Sequence, residues 1–216
     1  MRPLKHGYTN RTIGDGAVVR KTYAGPDADL RLDRERTLLT RLHGRLPVPP
    51  VHEADTGTLT LGFMTGVPGQ ELLDAGRAAE VLEACGALRR IHGTEASVRG
   101  AVLVHGDYGP NNLLFDPVTF QVTAVVDWEF AHLGDPVEDL AWCEWIVRMH
   151  HPEHRHALDA FFRAYGEDAV PPWPVRQAAM LARCESLREF CHRWEPNGAG
   201  VTLWRERAAA TAGWQE

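Results

Sequence analysis

The stretch His105-Gly106-Asp107-Tyr108-Gly109-Pro110-Asn111-Asn112-Leu113-Leu114 decides how this chain is read. It follows a short apolar run at 102–104, and a second apolar run at 122–126 leads into Asp127-Trp128-Glu129. An apolar strand thus delivers a loop with a carboxylate and, five positions on, an amide; another strand delivers a second carboxylate. Phosphoryl transfer needs such a set. One carboxylate accepts or orients the proton of the attacking hydroxyl, while an amide and a second carboxylate hold magnesium against the phosphates. Asp107 suits the first role, and Asn112 and Asp127 the second. A lone loop Asp more often closes a turn, so the weight rests on the three occurring together.

These residues resemble the aminoglycoside phosphotransferase and choline kinase family, which has a protein-kinase-like fold. The family's catalytic loop reads H-G-D-x-x-x-x-N, matched by His105, Asp107 and Asn112, and its metal strand reads [IV]-D-[WF]-[ED], matched by Asp127, Trp128 and Glu129. A third motif, G-D-P-x-x-D-L-A, is matched in full by Gly134-Asp135-Pro136-Val137-Glu138-Asp139-Leu140-Ala141. The resemblance implies an α+β fold of two lobes: a small antiparallel β-sheet lobe over residues 1–67 that covers the nucleotide, and a mainly helical lobe over 68–216 with catalytic and substrate-binding roles. It implies ATP (or GTP) and Mg as cofactors, and transfer of the γ-phosphate to a hydroxyl of a small molecule. By the same resemblance Asp107 is catalytic, Asn112 and Asp127 bind the metal, and His105 braces the loop. Asp135 closes a turn and Asp139 starts a helix.

The front of the chain extends the likeness. Runs rich in Val, Thr, Ile and Tyr at 11–13 and 17–23 flank Gly14-Asp15-Gly16, a hairpin signal. Residues 30–42 read as a helix with Leu38, Leu39 and Leu42 on its apolar stripe, and 58–65 as a further strand. Residues 66–69 read as a connector between the lobes. Gly7-Tyr8-Thr9-Asn10 sits where the family has its nucleotide-covering hairpin. The next strand should present a cation to the phosphates. Arg20 and Lys21 are adjacent, and strand alternation lets only one point inward. Lys21 is favoured, because a lysine kept in a chain that otherwise uses Arg is suggestive; Arg20 is the alternative. Glu35 is the expected ion-pair partner. By resemblance Met64 lines the adenine pocket, while Thr65 and Val67 offer backbone hydrogen bonds.

The rest of the chain reads as mainly helical, over 78–91, 139–149, 156–165, 175–194 and 203–212, with short strands at 102–104, 113–115 and 122–126. Larger family members carry a long insert before the catalytic loop, whereas only residues 93–101 separate Ile91-His92 from it here. The acceptor pocket must then come mainly from the C-terminal helices. The resemblance implies an aminoglycoside-like amino sugar as acceptor, the chemistry of antibiotic resistance; choline, another amino alcohol or another sugar is the alternative. Glu129, Glu185 and Glu189 are the candidates to meet such a cation. Glu129 follows the metal Asp by two residues, and strand alternation would put both on one face. A catalytically silent nucleotide-binding regulator is the rival of another class, and the presence of Asp107, Asn112 and Asp127 speaks against it.

Composition narrows the classes. The 216 residues carry 23 Lys+Arg and 29 Asp+Glu, for a net charge of −6, which argues against a dedicated nucleic-acid partner. Residues 1–70 hold 10 basic and 7 acidic side chains, and the remainder 13 and 22. No apolar run approaches the roughly 20 residues of a membrane span, and the first ten residues lack the apolar stretch of a secretory signal; a cytoplasmic monomer or homodimer, without a membrane partner, is expected. Cys85, Cys143, Cys184 and Cys191 show no metal-ligand spacing and read as small buried hydrophobes. The Trp residues read as mostly core. His150, His151, His154 and His156 read as an incidental exposed cluster, because Pro152 breaks a helical ligand face.

Overall fold

A computed structural model describes residues 2–3, 10–94 and 100–216. Among them, five strands form an antiparallel sheet: β1 (Arg2–Pro3), β2 (Arg11–Gly14), β3 (Val18–Thr22), β4 (Val51–Asp55) and β5 (Thr58–Gly62), in the order β1-β2-β3-β5-β4. The β2–β3 turn closes because the Asp15 carboxylate accepts the amides of Ala17 and Val18 at 3.0 Å each. Helix α1 (Ala28–Leu42) buries Leu32, Glu35, Leu38, Leu39 and Leu42, spaced three and four apart, so one face of the helix meets the sheet. Glu35 belongs to that buried face rather than to the solvent face.

The connection beyond β5 is more structured than the sequence predicts. Residues Val67–Pro68 form β6, and α2 (Gly69–Asp74) follows at once. β6 pairs with β8 (Leu113–Phe115), which pairs with β9 (Val122–Val125). The expected single helix over 78–91 is two, α3 (Ala78–Cys85) and α4 (Leu88–His92), parted at Gly86-Ala87. Between them and β8 lies β7 (Val102–Val104), which pairs antiparallel with β10 (His132–Gly134). The remaining helices are α5 (Val137–His150), α6 (Leu158–Tyr165), α7 (Trp173–Trp194) and α8 (Ala199–Ala212), each near its predicted place. Strands β4 and β10 have no strand signal of their own: β4 is largely exposed and polar, and β10 is three residues paired only to β7.

One apolar core runs from the sheet through α1, α3, β7, β8 and α6; a second joins α5 and α7 around Trp142, Trp145, Met180 and Cys184. The Trp142 and Trp145 rings stack at 4.3 Å and Trp204 leans on both, so these indoles are core, as the sequence suggests. Trp194 is the exception at 46% exposure. The four cysteines are unpaired. The histidine cluster is not uniformly exposed: His151 is buried and His154 Nε2–H donates to the Leu73 carbonyl at 2.9 Å. No group of three or more metal-ligating side chains occurs among the described residues, and no described helix is long and apolar enough to cross a membrane.

Helices α3 and α6 approach closely because Gly86 has no side chain. A Cβ there would overlap Ala164 and come within 3.0 Å of the Glu83 carbonyl. Gly86→Ala is therefore expected to destabilise the chain by about 1–3 kcal/mol through overpacking. Calorimetry checks this, and an unchanged melting temperature contradicts it.

Candidate active site

The loop after β7 takes its shape from one buried carboxylate. Asp139, in the first turn of α5, accepts the His105 amide at 2.7 Å and the Gly106 amide at 2.9 Å. His92 Nε2 also approaches it, at 3.3 Å. Its role thus exceeds the helix start expected of it. Asp135 closes the turn before the helix, accepting the Val137 amide at 2.9 Å. Gly106 has φ +80, and a Cβ would stand 2.5 Å from the Phe130 carbonyl; both the dihedral and the contact demand glycine. His105 is fully buried, and burial first of all holds its pKa down. Its Nε2–H donates to the Val126 carbonyl at 3.0 Å, while Nδ1 accepts the Asp107 amide at 3.2 Å. The ring is therefore a neutral brace between the two motif loops.

Asp107 is held by both oxygens. Trp142 Nε1–H donates to Oδ1 at 2.7 Å and Asn112 Nδ2–H to Oδ2 at 2.8 Å. Burial raises its pKa to about 6, against the opposing pull of Arg183 and with reinforcement from Asp127. The sequence reads Trp142 as core, and the structure adds its hydrogen bond to the loop carboxylate. Its signal was spacing: it follows Asp139 by three, so one face of α5 holds both the loop backbone and the loop carboxylate.

Asn112 and Asp127 are joined by the β8–β9 hairpin, closed by the Val126 amide donating to the Asn112 carbonyl at 3.0 Å. β9 ends at Val125 and Asp127 has φ 67, in the left-handed region. Strand alternation therefore stops before Asp127, and Glu129 does not share its face. Glu129 is instead fully buried, with Arg31 Nη1 at 2.5 Å and Asn10 Nδ2 at 2.8 Å. Glu185 and Glu189 lie exposed on α7 beside Arg188, at 2.6 and 4.0 Å. Of the three candidate glutamates, Glu185 and Glu189 flank the same Arg188, and Glu129 is engaged elsewhere, by Arg31 and Asn10.

Lys21, not Arg20, is buried; Arg20 is exposed. Lys21 Nζ lies 2.6 Å from Glu35 Oε2 and 2.5 Å from Asp127 Oδ1. The Tyr23 hydroxyl donates to the same Glu35 oxygen, and the Trp128 amide to the other at 3.1 Å. Burial alone would lower the Lys21 pKa, but Asp127 and then Glu35 more than offset it, and the ammonium is held charged. Asp127 feels the same burial, overcome by Lys21, and its pKa is lowered.

A cavity of about 480 Å³ opens over these groups. Its lining combines the apolar side chains Val19, Leu61, Met64, Leu114 and Val126 with the polar and charged Lys21, Glu35, Asn112 and Asp127. Met64 lines it as expected. Thr65 and Val67 do not: the Thr65 carbonyl accepts the Thr123 hydroxyl at 2.7 Å, and Val67 pairs with Phe115 in the β6–β8 ladder. Asn10 lies within the structure, while Gly7-Tyr8-Thr9 of the expected covering hairpin lie outside the described residues. The residues fit a hard cation and a nucleotide. The Asn112 amide nitrogen is spent on Asp107, so its oxygen is the atom left for a cation beside the Asp127 carboxylate. Asn111 also lines the cavity, but its buried Oδ1, which has no hydrogen-bond partner, lies beside Gly109. The sequence gives Asn111 no signal apart from its neighbour.

Two outcomes follow from this geometry. Asp139→Ala strips two buried amides of their acceptor and is expected to cost about 3 kcal/mol, read as a fall of roughly 6–12 °C in melting temperature; a shift of under about 2 °C contradicts the clamp. Carboxyl-carbon NMR of the metal-free chain should place the Asp107 titration near 6, against an ordinary value of about 4. An ordinary value there contradicts the burial argument.

A sequence model of the phosphotransferase enzyme family matches residues 1–101 and 95–179. Among curated relatives, acyl-CoA dehydrogenase family member 11 of Homo sapiens is 46% identical over 92 residues, covering 43% of this chain and 11% of that protein. Family member 10 of Mus musculus is 52% identical over 40 residues, covering 18% of this chain and 4% of that one. The chain thus spans about a tenth or less of the length of these curated relatives. Three solved structures share the fold at low identity. Choline kinase LicA from Streptococcus pneumoniae has TM-score 0.73 and 14% identity, covering 99% of this chain and 93% of that one. The gentamicin complex of APH(2")-IIa has 0.71 and 14%, covering 99% and 91%. A thermostable mutant of aminoglycoside phosphotransferase APH(4)-Ia has 0.69 and 18%, covering 97% and 92%. With most of its length matched, and with the two-lobed α+β architecture of these kinase-like proteins, the chain belongs to the phosphotransferase enzyme family.

Proposed function

We propose that the chain transfers the γ-phosphate of ATP, with magnesium, to a hydroxyl of a small molecule. The observation that carries this reading is the single cavity wall in which Lys21, Asn112 and Asp127 meet, one hydrogen bond from Asp107. The apolar side chains lining the cavity suit a purine and the charged ones suit the phosphates. A divide between a nucleotide-covering lobe and a catalytic lobe is supported by the five-stranded sheet ending at Gly62, and it falls before Val67, which already pairs with Phe115 of β8.

Asp107 is the proposed base. Near neutral pH it is ionised, yet more basic than an ordinary carboxylate. Trp142 and Asn112 fix both its oxygens, so the lone pair that takes the hydroxyl proton is oriented before the acceptor arrives. As the acceptor oxygen bonds to the γ-phosphorus, the bond to the β-γ bridging oxygen breaks and ADP leaves with that electron pair. Magnesium supplies charge neutralisation on the phosphates when bound. Lys21 is held charged and aimed by Glu35, and Asp127 is kept ionised by Lys21. GTP is the alternative donor.

The expected aminoglycoside-like acceptor finds less support. A cationic amine calls for free carboxylates on the acceptor side. Glu129 instead lies against Arg31, and Glu185 and Glu189 against Arg188. The proposal therefore defines the acceptor by its hydroxyl, and a phosphate-transfer screen over alcohols, sugars and amino sugars is the test.

With an acceptor in hand, Asp107→Asn should lower kcat by roughly 10²–10⁴-fold while leaving ATP binding in place. Asp127→Ala should abolish the magnesium dependence of turnover. Unchanged turnover in both variants sinks the assignment. Binding of ATP without turnover of any acceptor in the wild type favours the non-catalytic reading.

A further inference from the structure

A second, smaller cavity of about 170 Å³ lies between α1, α7 and the segment after Asp127. Its wall includes Arg31, Arg34, Arg183, Arg193, Asp27 and Phe130. Four guanidinium groups share this wall; Arg34 and Arg193 are exposed and meet solvent, whereas Arg31 is buried and Arg183 half-buried, and for these two a charge is costly unless something answers it. Two are answered within the chain: Arg31 by Glu129 and Arg193 by Asp27, the latter at 2.8 Å. Among the described residues Arg34 hydrogen-bonds a neutral oxygen, the Glu129 carbonyl, at 2.9 Å, and its charge is felt by Asp27 in the same wall. Arg183 has no hydrogen bond to its buried Nε; its guanidinium sits over the rings of Phe130 at 5.0 Å and Trp142 at 5.6 Å. The rings fix the plane of the guanidinium without neutralising it.

This cavity adjoins the catalytic loop. Trp142, beneath Arg183, is the residue that donates to Asp107, and the Phe130 carbonyl is the one packed against Gly106. Arg183 and Asp107 are near enough for each charge to shift the other. The wall therefore stands one side chain, Trp142, from the proposed base, and the lining of the nucleotide cavity contains none of these arginines. A planar guanidinium matches a carboxylate or phosphate in two parallel hydrogen bonds, whereas an ammonium placed here would be repelled.

We propose that this cavity anchors the acceptor, and that the acceptor is an alcohol carrying a carboxylate or phosphate group, held by Arg34 and Arg183 with its hydroxyl toward Asp107. The inference rests on the phosphotransferase reading for the fate of the hydroxyl, but not for the anion.

Calorimetric titration tests it, using the whole chain with magnesium and a non-hydrolysable ATP analogue. The probes are glycerate, glycerol 3-phosphate, glycerol, choline and kanamycin. Glycerate or glycerol 3-phosphate should bind, and glycerol, choline and kanamycin should not. Binding of glycerate alone identifies the carboxylate, and of glycerol 3-phosphate alone the phosphate. Arg34→Gln and Arg183→Gln should each weaken the anion by roughly 10-fold or more; Arg183→Lys, which keeps the charge and loses the fork, should fall between. Arg34 is exposed on α1, so its variant keeps the test open if loss of Arg183 from its ring contacts unfolds the chain. Failure of both anions to bind, preference for choline or kanamycin, or anion affinity within about two-fold of wild type in Arg34→Gln overturns the proposal. Failure of the nucleotide analogue to bind strikes the phosphotransferase reading instead, and the anion titration of the nucleotide-free chain still judges the cavity.

Discussion

Lys21 sits between two carboxylates that come from different parts of the chain, Glu35 on α1 and Asp127 after β9. Its own strand, β3, is central to the five-stranded sheet. One ammonium thus ties the sheet, the helix packed on it and the second motif loop to a common point. The group is buried, so the arrangement tolerates little: removing one partner from such a pair leaves an uncompensated charge, at a cost of about 3–5 kcal/mol. Glu35 is committed further, to the Tyr23 hydroxyl and the Trp128 amide. The position of Asp127 relative to the sheet follows from this network. The cavity wall follows as well, with the Lys21 cation and the Glu35 and Asp127 carboxylates set among aliphatic side chains.

A second constraint works from below. Asp139 binds the backbone of the first loop, and Trp142, one turn along the same helix, binds its carboxylate. His105 then links that loop to the second through Val126. The two loops are fixed by opposite sides of the molecule, α5 beneath and β3 with α1 above. Asp107 and Asp127 are brought together without direct contact. Neither depends on a single flexible segment, and this is the preorganisation that a reaction run by position and charge requires.

Much of this was legible in the chain. The motif residues follow from spacing, and alternation lets only one of Arg20 and Lys21 point inward; the preference for Lys21 came from its being a lysine kept in an arginine-rich chain, and the pairing with Glu35 from the family resemblance. Alternation failed at Glu129 because the strand ends at Val125 and Asp127 turns left-handed. It also missed β4 and β10, whose pairing is decided by distant partners rather than by their own residues. The acidic balance of residues 71–216 suggested a surface for cations. Net charge says nothing about which charges are already answered. Glu129, Glu185 and Glu189 have arginine partners, while Arg34 and Arg183 have no carboxylate within ion-pair distance among the described residues. That distinction exists only in three dimensions, and in a chain where 21 of 23 basic residues are arginine the count alone carries no signal.

The account stands on phosphoryl transfer from a nucleotide held at Lys21 and Asp127 to an external hydroxyl beside Asp107. Phosphorus-31 NMR of the chain with ATP, magnesium and a mixture of hydroxyl acceptors follows that event directly. The account predicts loss of the γ-phosphate signal with growth of ADP and a new phosphomonoester resonance, dependent on magnesium. ATP that stays intact, or that yields only ADP and inorganic phosphate, would contradict it.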